Sequence, residues 1–388
     1  MFRLSHYLHE LREPTPLGPA RQPPGPVVIW NLIRRCNLTC KHCYSISGDV
    51  DFPGELSTPE VFRVMDDLKA FRVPVLILSG GEPLMRRDIF EISERAKAMK
   101  FYVGLSSNGT LVNAPLADRI RDIGYDYVGI SLDGIGHTHD RFRRKVGAYE
   151  EALGGLRLLR DRGIKVGVRF TMTEDNAAEL PRMLDLVECE GFHKFYLSHL
   201  VYAGRGNNNR GDDAMWQTTR DTMDMVIDRA WRWVQSGSEM EIVTGNNDAD
   251  AVYLLHWAER TMPHAVAGLH ARLVQWGGNS SGVNVANIDN LGNVKARPFS
   301  AIWTDLSDPI MAGLKQKPRV IGGRCGQCAY FDVCNGNTRV RAMRITGDPW
   351  AEDPGCYLGD AEIGLAQPVQ RVTVSAYRGA RHEAPLSL

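Results

Sequence analysis

The 388-residue sequence has no surplus of charge of either sign, because 46 Lys and Arg balance 46 Asp and Glu. That balance gives no broad field for nucleic acid or for an acidic membrane surface, so neither is expected as a partner. Runs of about 18 apolar residues are missing, which speaks against a membrane-spanning helix. The opening MFRLSHYLHELREPTPLGPARQPPGP lacks the apolar stretch and cleavage pattern of a secretory signal. Internal repeats of the solenoid kind are missing too. The expectation is a cytoplasmic globular chain, long enough for a sizeable core and an appended module. Its eight cysteines then read as metal ligands in a reducing compartment rather than as disulfides.

From residue 27 a rhythm sets in. VVIWNLI (27–33), VPVLILS (73–79), FYVGLSS (101–107), DYVGISL (126–132), KVGVRFT (165–171) and KFYLSHL (194–200) read as buried parallel strands. Helical patterns fall between them at 58–71, 88–99, 114–122, 147–162 and 176–190. The first is capped by Ser57 or Thr58, with Pro59 and Glu60 in its opening turn. Such alternation gives an α/β fold with a parallel sheet and right-handed crossovers. Six strands by residue 200 suit a partial (β/α)6 barrel or a doubly wound open sheet. Periodicity alone does not separate the two. A polar break at 204–213 and a helical stretch at 214–236 follow. After 240 come short apolar runs with Gly and Asn turns, Asp289–Asn293 reading as the tight turn of a hairpin. The expected organisation is a loose extension (1–26), a core (27–236), a smaller loop-rich module (237–365) and an exposed tail (366–388).

The chemistry-bearing motifs fall at the C-terminal ends of these strands, where parallel α/β folds place their sites. Cys36, Cys40 and Cys43 follow the first strand. Three thiolates at this spacing grip three irons of a [4Fe–4S] cube and leave the fourth open to a small molecule. A zinc knuckle or buried free thiols are the competing readings, although zinc sites more often pair two CxxC units. Gly80, Gly81, Glu82 and Pro83 follow the second strand. The glycines allow close backbone approach, and Glu82 can accept hydrogen bonds from an ammonium. Ser106, Ser107 and Asn108 end the third strand, with Ser131 and Asp133 at the end of the fourth; capping of turns is the plain role for such residues. Arg169, in the apolar fifth strand, needs a partner: a bound carboxylate or an internal salt bridge. Cys325, Cys328, Cys334 and Cys356 can fully ligate a second [4Fe–4S] cluster, or a zinc ion. Cys189, alone in a helical pattern, reads as a free core thiol.

The Cys triplet followed one strand later by Gly-Gly-Glu-Pro resembles the radical S-adenosylmethionine (SAM) superfamily. That resemblance implies a partial barrel and a first [4Fe–4S] cluster whose open iron chelates SAM. Reduction of the cluster then cleaves SAM to methionine and a 5′-deoxyadenosyl radical, making Cys36, Cys40 and Cys43 the catalytic set. It also implies that His42 lies against the adenine and that Gly80, Gly81, Glu82 and Pro83 contact the SAM amino group. Ser107, Asn108, Ser131 and Asp133 would serve the ribose hydroxyls and the SAM carboxylate, and Arg169 a carboxylate. The second Cys set resembles the SPASM or twitch module. Thr338 stands where the full SPASM pattern has a further Cys, so one auxiliary [4Fe–4S] cluster is expected.

Several stretches resemble one subfamily, the NirJ proteins of haem d1 biosynthesis. They include VIWNLIRRCNLTCKHCYS, FPGELSTPEV, VPVLILSGGEPL, VGLSSNGTLV, HLVYAGRGN and TGDPWAEDPGCYL. The resemblance implies radical attack on the propionate side chains of didecarboxysirohaem, a tetrapyrrole, with a flavodoxin or ferredoxin as electron donor. The loop after Val294 is shorter than in that subfamily. His199, Arg205, Arg210, Arg339, Arg341 and Arg344 are candidates for holding substrate carboxylates. Two readings compete. One keeps the chemistry on another substrate, in a SPASM-type peptide maturase or an alternative-haem decarboxylase. The other is a non-catalytic iron–sulfur or zinc protein, which leaves the Gly-Gly-Glu-Pro motif without a purpose.

Overall fold

The computed structural model describes residues 1–20, 23–289 and 293–366. Its strands are β1 (Val27–Asn31), β2 (Val75–Ser79), β3 (Tyr102–Ser107), β4 (Tyr127–Ser131), β5 (Val166–Thr171), β6 (Lys194–Ser198), β7 (Glu241–Gly245) and β8 (Val285–Ile288). They form one sheet in the order β7-β6-β5-β4-β3-β2-β1-β8, with every neighbouring pair parallel. This is an α/β partial barrel. Helices Thr58–Ala70, Ile89–Ala98, Ala114–Ile123, Ala148–Arg160 and Leu180–Cys189 link the first six strands, as the periodicity anticipates.

Each element forms for a local reason. In helix Thr58–Ala70 the buried residues are Val61, Val64, Met65 and Leu68, one stripe at helical spacing. Glu60 accepts the Ser57 N–H at 2.7 Å and closes the opening turn. The strands show the period of two. Val28, Trp30, Leu76, Leu78, Val128 and Ile130 are wholly buried toward the helices. The alternate positions face the barrel lumen, and toward the C-terminal strand ends these become polar: Asn31, Ser79, Ser106, Ser131, Arg169 and Thr171.

Four expectations change. First, the sheet does not end with six strands or at residue 236. β7 extends it beyond β6, and β8 pairs along β1 in the register Val27↔Val285 to Trp30↔Ile288. Glu241 and Thr244 flank only two apolar residues in β7, and β8 has four residues with Asn287 interrupting its apolar run, so neither announces itself in the sequence. Second, the segment after β8 is a 3-10 turn at Asn293–Lys295 rather than the return strand of a hairpin. Residues 290–292, the centre of the expected turn and the start of the shortened loop, lie outside the described residues. Third, the start of the N-terminal extension is not loose. Leu4, Tyr7, Leu8 and Leu11 are buried on one face of helix Leu4–Arg12. Phe2 exchanges two backbone hydrogen bonds of 2.8 Å with Thr244, which covers the outer edge of β7. Fourth, Cys189 is exposed at its helix end, not a core thiol. The expected tail, from 367 on, lies outside the described residues. Among the described residues no helix is long and apolar enough to cross a membrane.

Candidate functional site

The loop after β1 carries Cys36, Cys40 and Cys43 into the mouth of the barrel. Backbone hydrogen bonds hold it from several sides: Gly81 N to Ile33 O at 2.5 Å, Glu82 N to Arg35 O at 2.9 Å, Lys41 N to Phe142 O at 3.0 Å and Gly206 N to Cys43 O at 3.1 Å. A side chain at Gly81 would put its Cβ 2.3 Å from the Arg35 carbonyl oxygen. The glycine of the Gly-Gly-Glu-Pro motif is therefore required for close approach to the cysteine loop itself. Cys36 and Cys40 are buried together with Leu38, and Cys43, half-buried, packs against them.

A polar group stands beside each sulfur. Asn108 Nδ2 is 3.9 Å from Cys36 Sγ, Arg143 Nη1 is 3.4 Å from Cys40 Sγ, and Ser47 Oγ is 3.5 Å from Cys43 Sγ. Burial pushes the Cys36 thiol up to about 12 and raises that of Cys40.

Around the loop, the predicted cofactor residues divide. Glu82 is fully buried; it accepts from Ser107 Oγ at 2.8 Å, Asn108 N at 2.8 Å and Leu84 N at 3.1 Å. Burial lifts its carboxyl to about 6. Pro83 opens the 3-10 turn that follows. Ser107 is thus turned toward Glu82. The Asn108 amide donates to Asn37 Oδ1 at 2.9 Å, inside the cysteine loop. Asp133 is fully buried and paired with Arg143, while His42 Nε2 lies 3.4 Å from it. Burial raises the Asp133 carboxyl, but Arg143, His42, His139 and the Thr171 N–H together outweigh this and hold it below the usual range. The His42 ring is 5.6 Å from that of Phe142, and burial lowers its pKa to about 4. Its Nδ1 is buried without a partner. These side chains build the floor under the loop.

Ser131 and Arg169 face the lumen from paired positions of β4 and β5. The Arg169 guanidinium reaches the Ser106 hydroxyl and stands 5.2 Å from the Tyr196 ring centroid. Among the described residues no carboxylate pairs with it, so of the two readings the internal salt bridge is not seen. Tyr44 also enters the lumen, its hydroxyl donating to Asn31 Oδ1 at 2.8 Å.

The second thiol set is gathered from three short segments. Cys325, Cys328, Cys334 and Cys356 all line one pocket, whose wall includes Ala249, Val252, Phe331, Leu358 and Ile363. The carboxylates in that wall are engaged: Glu352 accepts from Arg324 N at 2.7 Å, and Asp353 pairs with Arg341. Tyr330 N points at Cys328 Sγ at 3.4 Å. Burial raises all four thiols, Cys325 to about 12. The four thiols line one pocket, and such a donor set could hold a thiolate-bound cluster or a zinc ion.

Four of the six cationic candidates for substrate, His199, Arg205, Arg339 and Arg341, are engaged within the fold. Arg205 donates to Cys40 O at 2.8 Å and Ser47 O at 2.6 Å, tying the loop after β6 to the cysteine loop. Arg341 is fully buried against Asp353 and the carbonyl of Asn246. Arg339 serves the carbonyls of Gly336, Pro349 and Ala351. His199 is bound to Asp250, which also accepts from Tyr357. Arg210 donates to Asn207 O at 3.2 Å, and Arg344 is exposed. Sequence reasoning missed Arg143. It stands among Arg141, Arg144 and Lys145, and a basic run normally signals a solvated face.

Comparison with known proteins agrees with this geometry. The radical SAM superfamily profile matches residues 30–187. The chain is 56% identical over 399 residues to a protein of Dinoroseobacter shibae named Pre-heme d1 synthase, covering 99% of this chain and 98% of the relative. It is 41% identical to the Fe-coproporphyrin III synthase of Methanosarcina barkeri, covering 87% of this chain and 89% of that one. The crystal structure of Streptococcus suis SuiB bound to precursor peptide SuiA superposes with a TM-score of 0.67 at 13% identity. That match covers 86% of this chain and 76% of the other, a likeness of fold. With the cysteine loop and the Gly-Gly-Glu-Pro turn locked together at the mouth of a parallel partial barrel, the chain belongs to the radical SAM superfamily.

Proposed function

We propose that the chain is a radical SAM enzyme of haem d1 biosynthesis that acts on the propionate side chains of didecarboxysirohaem. The likeness to Pre-heme d1 synthase over nearly the whole of both chains carries this reading. The second relative, whose name also contains a porphyrin, keeps the substrate class within tetrapyrroles. Cys36, Cys40 and Cys43 hold the first [4Fe–4S] cluster, and Cys325, Cys328, Cys334 and Cys356 an auxiliary one. When bound, the first cluster supplies the electron that cleaves SAM to methionine and a 5′-deoxyadenosyl radical.

The chain's own residues prepare the reaction space. Arg169, a cation without an acidic partner, clamps the carboxylate of SAM from β5, with Ser131 beside it on β4. Tyr44 and Asn31 line the lumen between that clamp and the cysteine loop. His42, neutral because burial lowers its pKa, offers the adenine a flat face without competing charge. Glu82, Ser107, Asn108 and Arg205 act indirectly, by fixing the loop that carries the thiols. Attack on a propionate C–H needs near-contact with the radical carbon, so a rigid loop and a rigid SAM clamp are what the fold must supply. A flavodoxin or ferredoxin serves as the electron donor.

The test is anaerobic incubation of the reconstituted protein with SAM and a reductant, with and without didecarboxysirohaem. The expected result is 5′-deoxyadenosine formation stimulated by the tetrapyrrole, with a mass change in it. A peptide that stimulates cleavage where the tetrapyrrole does not would replace this reading by a maturase. Zinc in place of iron at the second thiol set would remove the auxiliary cluster.

A further inference from the structure

Arg143 is buried at the end of the short helix His137–Arg143, and its guanidinium is used twice. Nη1 lies 3.4 Å from Cys40 Sγ, and Nη2 pairs with the Asp133 carboxylate. Asp133 is fixed in turn, accepting the Thr171 N–H from β5 at 2.8 Å. The main chain ties the same helix to the cysteine loop, through Lys41 N to Phe142 O at 3.0 Å. Among the described residues no other cation donates to a sulfur of this set. Arg143 is thus a preformed charge-assisted donor, locked by an anion behind it and aimed at one of three thiols. A loop that needed only packing would not require a buried ion pair at that position, since burying two charges is costly.

Building on the reading that Cys36, Cys40 and Cys43 hold the SAM-binding cluster, we propose that Arg143, locked by Asp133, is a positioning residue that sets the reduction potential of that cluster through Cys40. Reduction adds a negative charge to the cluster. A hydrogen bond and a positive charge at a ligand sulfur favour the reduced form, so Arg143 raises the potential. The site is buried, so the effect is weakly screened. The Asp133 charge acts in the opposite sense and also keeps the guanidinium in place. The two residues therefore tune with opposite signs, whereas a purely structural pair would fail in the same way at either position.

The experiment is an EPR-monitored redox titration of the anaerobically reconstituted full chain, following the signal that changes when SAM is added. Arg143→Met should weaken the cluster's hold on the electron about tenfold, about 60 mV lower for a one-electron couple. Arg143→Lys, which keeps the charge but not the forked geometry, should recover part of that loss. Asp133→Asn should move the potential upward. Should Arg143→Met fail to load iron, the signs for Arg143→Lys and Asp133→Asn decide. Shifts of the same sign, or shifts below about twofold in the same constant, overturn the proposal. Loss of the SAM-sensitive signal in all three variants, with secondary structure intact, also overturns it, by assigning both residues to loop assembly. Cys40→Ala separates the underlying reading. A SAM-sensitive signal that survives there refutes the ligand assignment, whereas unmoved potentials in loaded Arg143 variants refute only the tuning.

Discussion

Cys36, Cys40 and Cys43 come from one loop of eight residues, whereas Cys325, Cys328, Cys334 and Cys356 are gathered across thirty-two. The surroundings differ as well. Polar and charged groups that follow β2, β3, β4 and β6 brace the first loop: Glu82, Asn108, Asp133, Arg143 and Arg205. An apolar wall encloses the second set, and charged pairs such as Arg341–Asp353 stand behind it. Half-buried Cys43 gives the first set one accessible edge, but the four thiols of the second set are half-buried as well. Spacing marks both sets, and a buried Arg stands beside a sulfur in each, Arg143 at Cys40 and Arg324 at Cys356. The first set differs in the hydrogen bonds that tie its loop down from the ends of β2 and β3.

The sharpest way to break this comparison is to remove thiols. Cys40→Ala should abolish SAM cleavage. The double change Cys325→Ala with Cys328→Ala should remove about four irons per chain, one cluster's worth, while cleavage without substrate survives. Iron analysis and 5′-deoxyadenosine assays read both. If the double variant also loses cleavage, the two sites are not independent.

Next in size is Arg341→Met. It leaves Asp353 buried and unpaired, so a loss of about 3–5 kcal/mol is expected, read by thermal or denaturant unfolding. A loss under about 1 kcal/mol would mean that the pair is not needed to close the wall of the second site.

Two glycines give a matched pair. Gly81→Ala would push a Cβ to 2.3 Å from the Arg35 carbonyl oxygen. Gly278→Ala, at φ +65, would push one to 2.3 Å from the Cys334 carbonyl carbon. The first change should lower loading of the SAM-sensitive cluster and spare the other; the second should do the reverse. Equal losses at both sites in both variants would show that the sites are coupled through the fold.

The smallest effect concerns Glu82. Its carboxyl titrates near 6 in the folded chain, against 4.5 ordinarily, because of burial. Between those values the folded state keeps a proton that the unfolded state has lost. The contribution is therefore fully present below about 4.5 and disappears as pH rises to about 6, about 2 kcal/mol in all. Glu82→Gln should flatten that part of the stability profile. An unchanged profile would place the titration elsewhere.

Much of this architecture is legible in the chain itself. The first six strands and the helices between them follow from periodicity and capping, which are local. The two Cys sets follow from spacing. What failed to show is instructive. β7 and β8 are too mixed in composition to stand out, and they exist because the growing sheet offers them an edge. Arg205, Arg339 and Arg341 looked like carboxylate binders because position in the chain suggested a nearby substrate. They proved to serve backbone carbonyls and Asp353. Asp133 and Arg143 could not be told from a turn cap and a solvated cation, since neither residue type nor spacing reveals which buried partner it will meet.

The sequence by itself determined the superfamily, the alternation of strands and helices, and the two groups of thiols, because each rests on residues close together in the chain. The tertiary structure decided which polar side chains face the lumen and which are spent on holding the cysteine loop. It also drew β7 and β8 onto the sheet and folded the N-terminal helix over its edge. Those outcomes depend on contacts between residues far apart in sequence, such as Phe2 with Thr244 and Arg205 with Cys40, and such contacts are specified only once the chain has closed on itself.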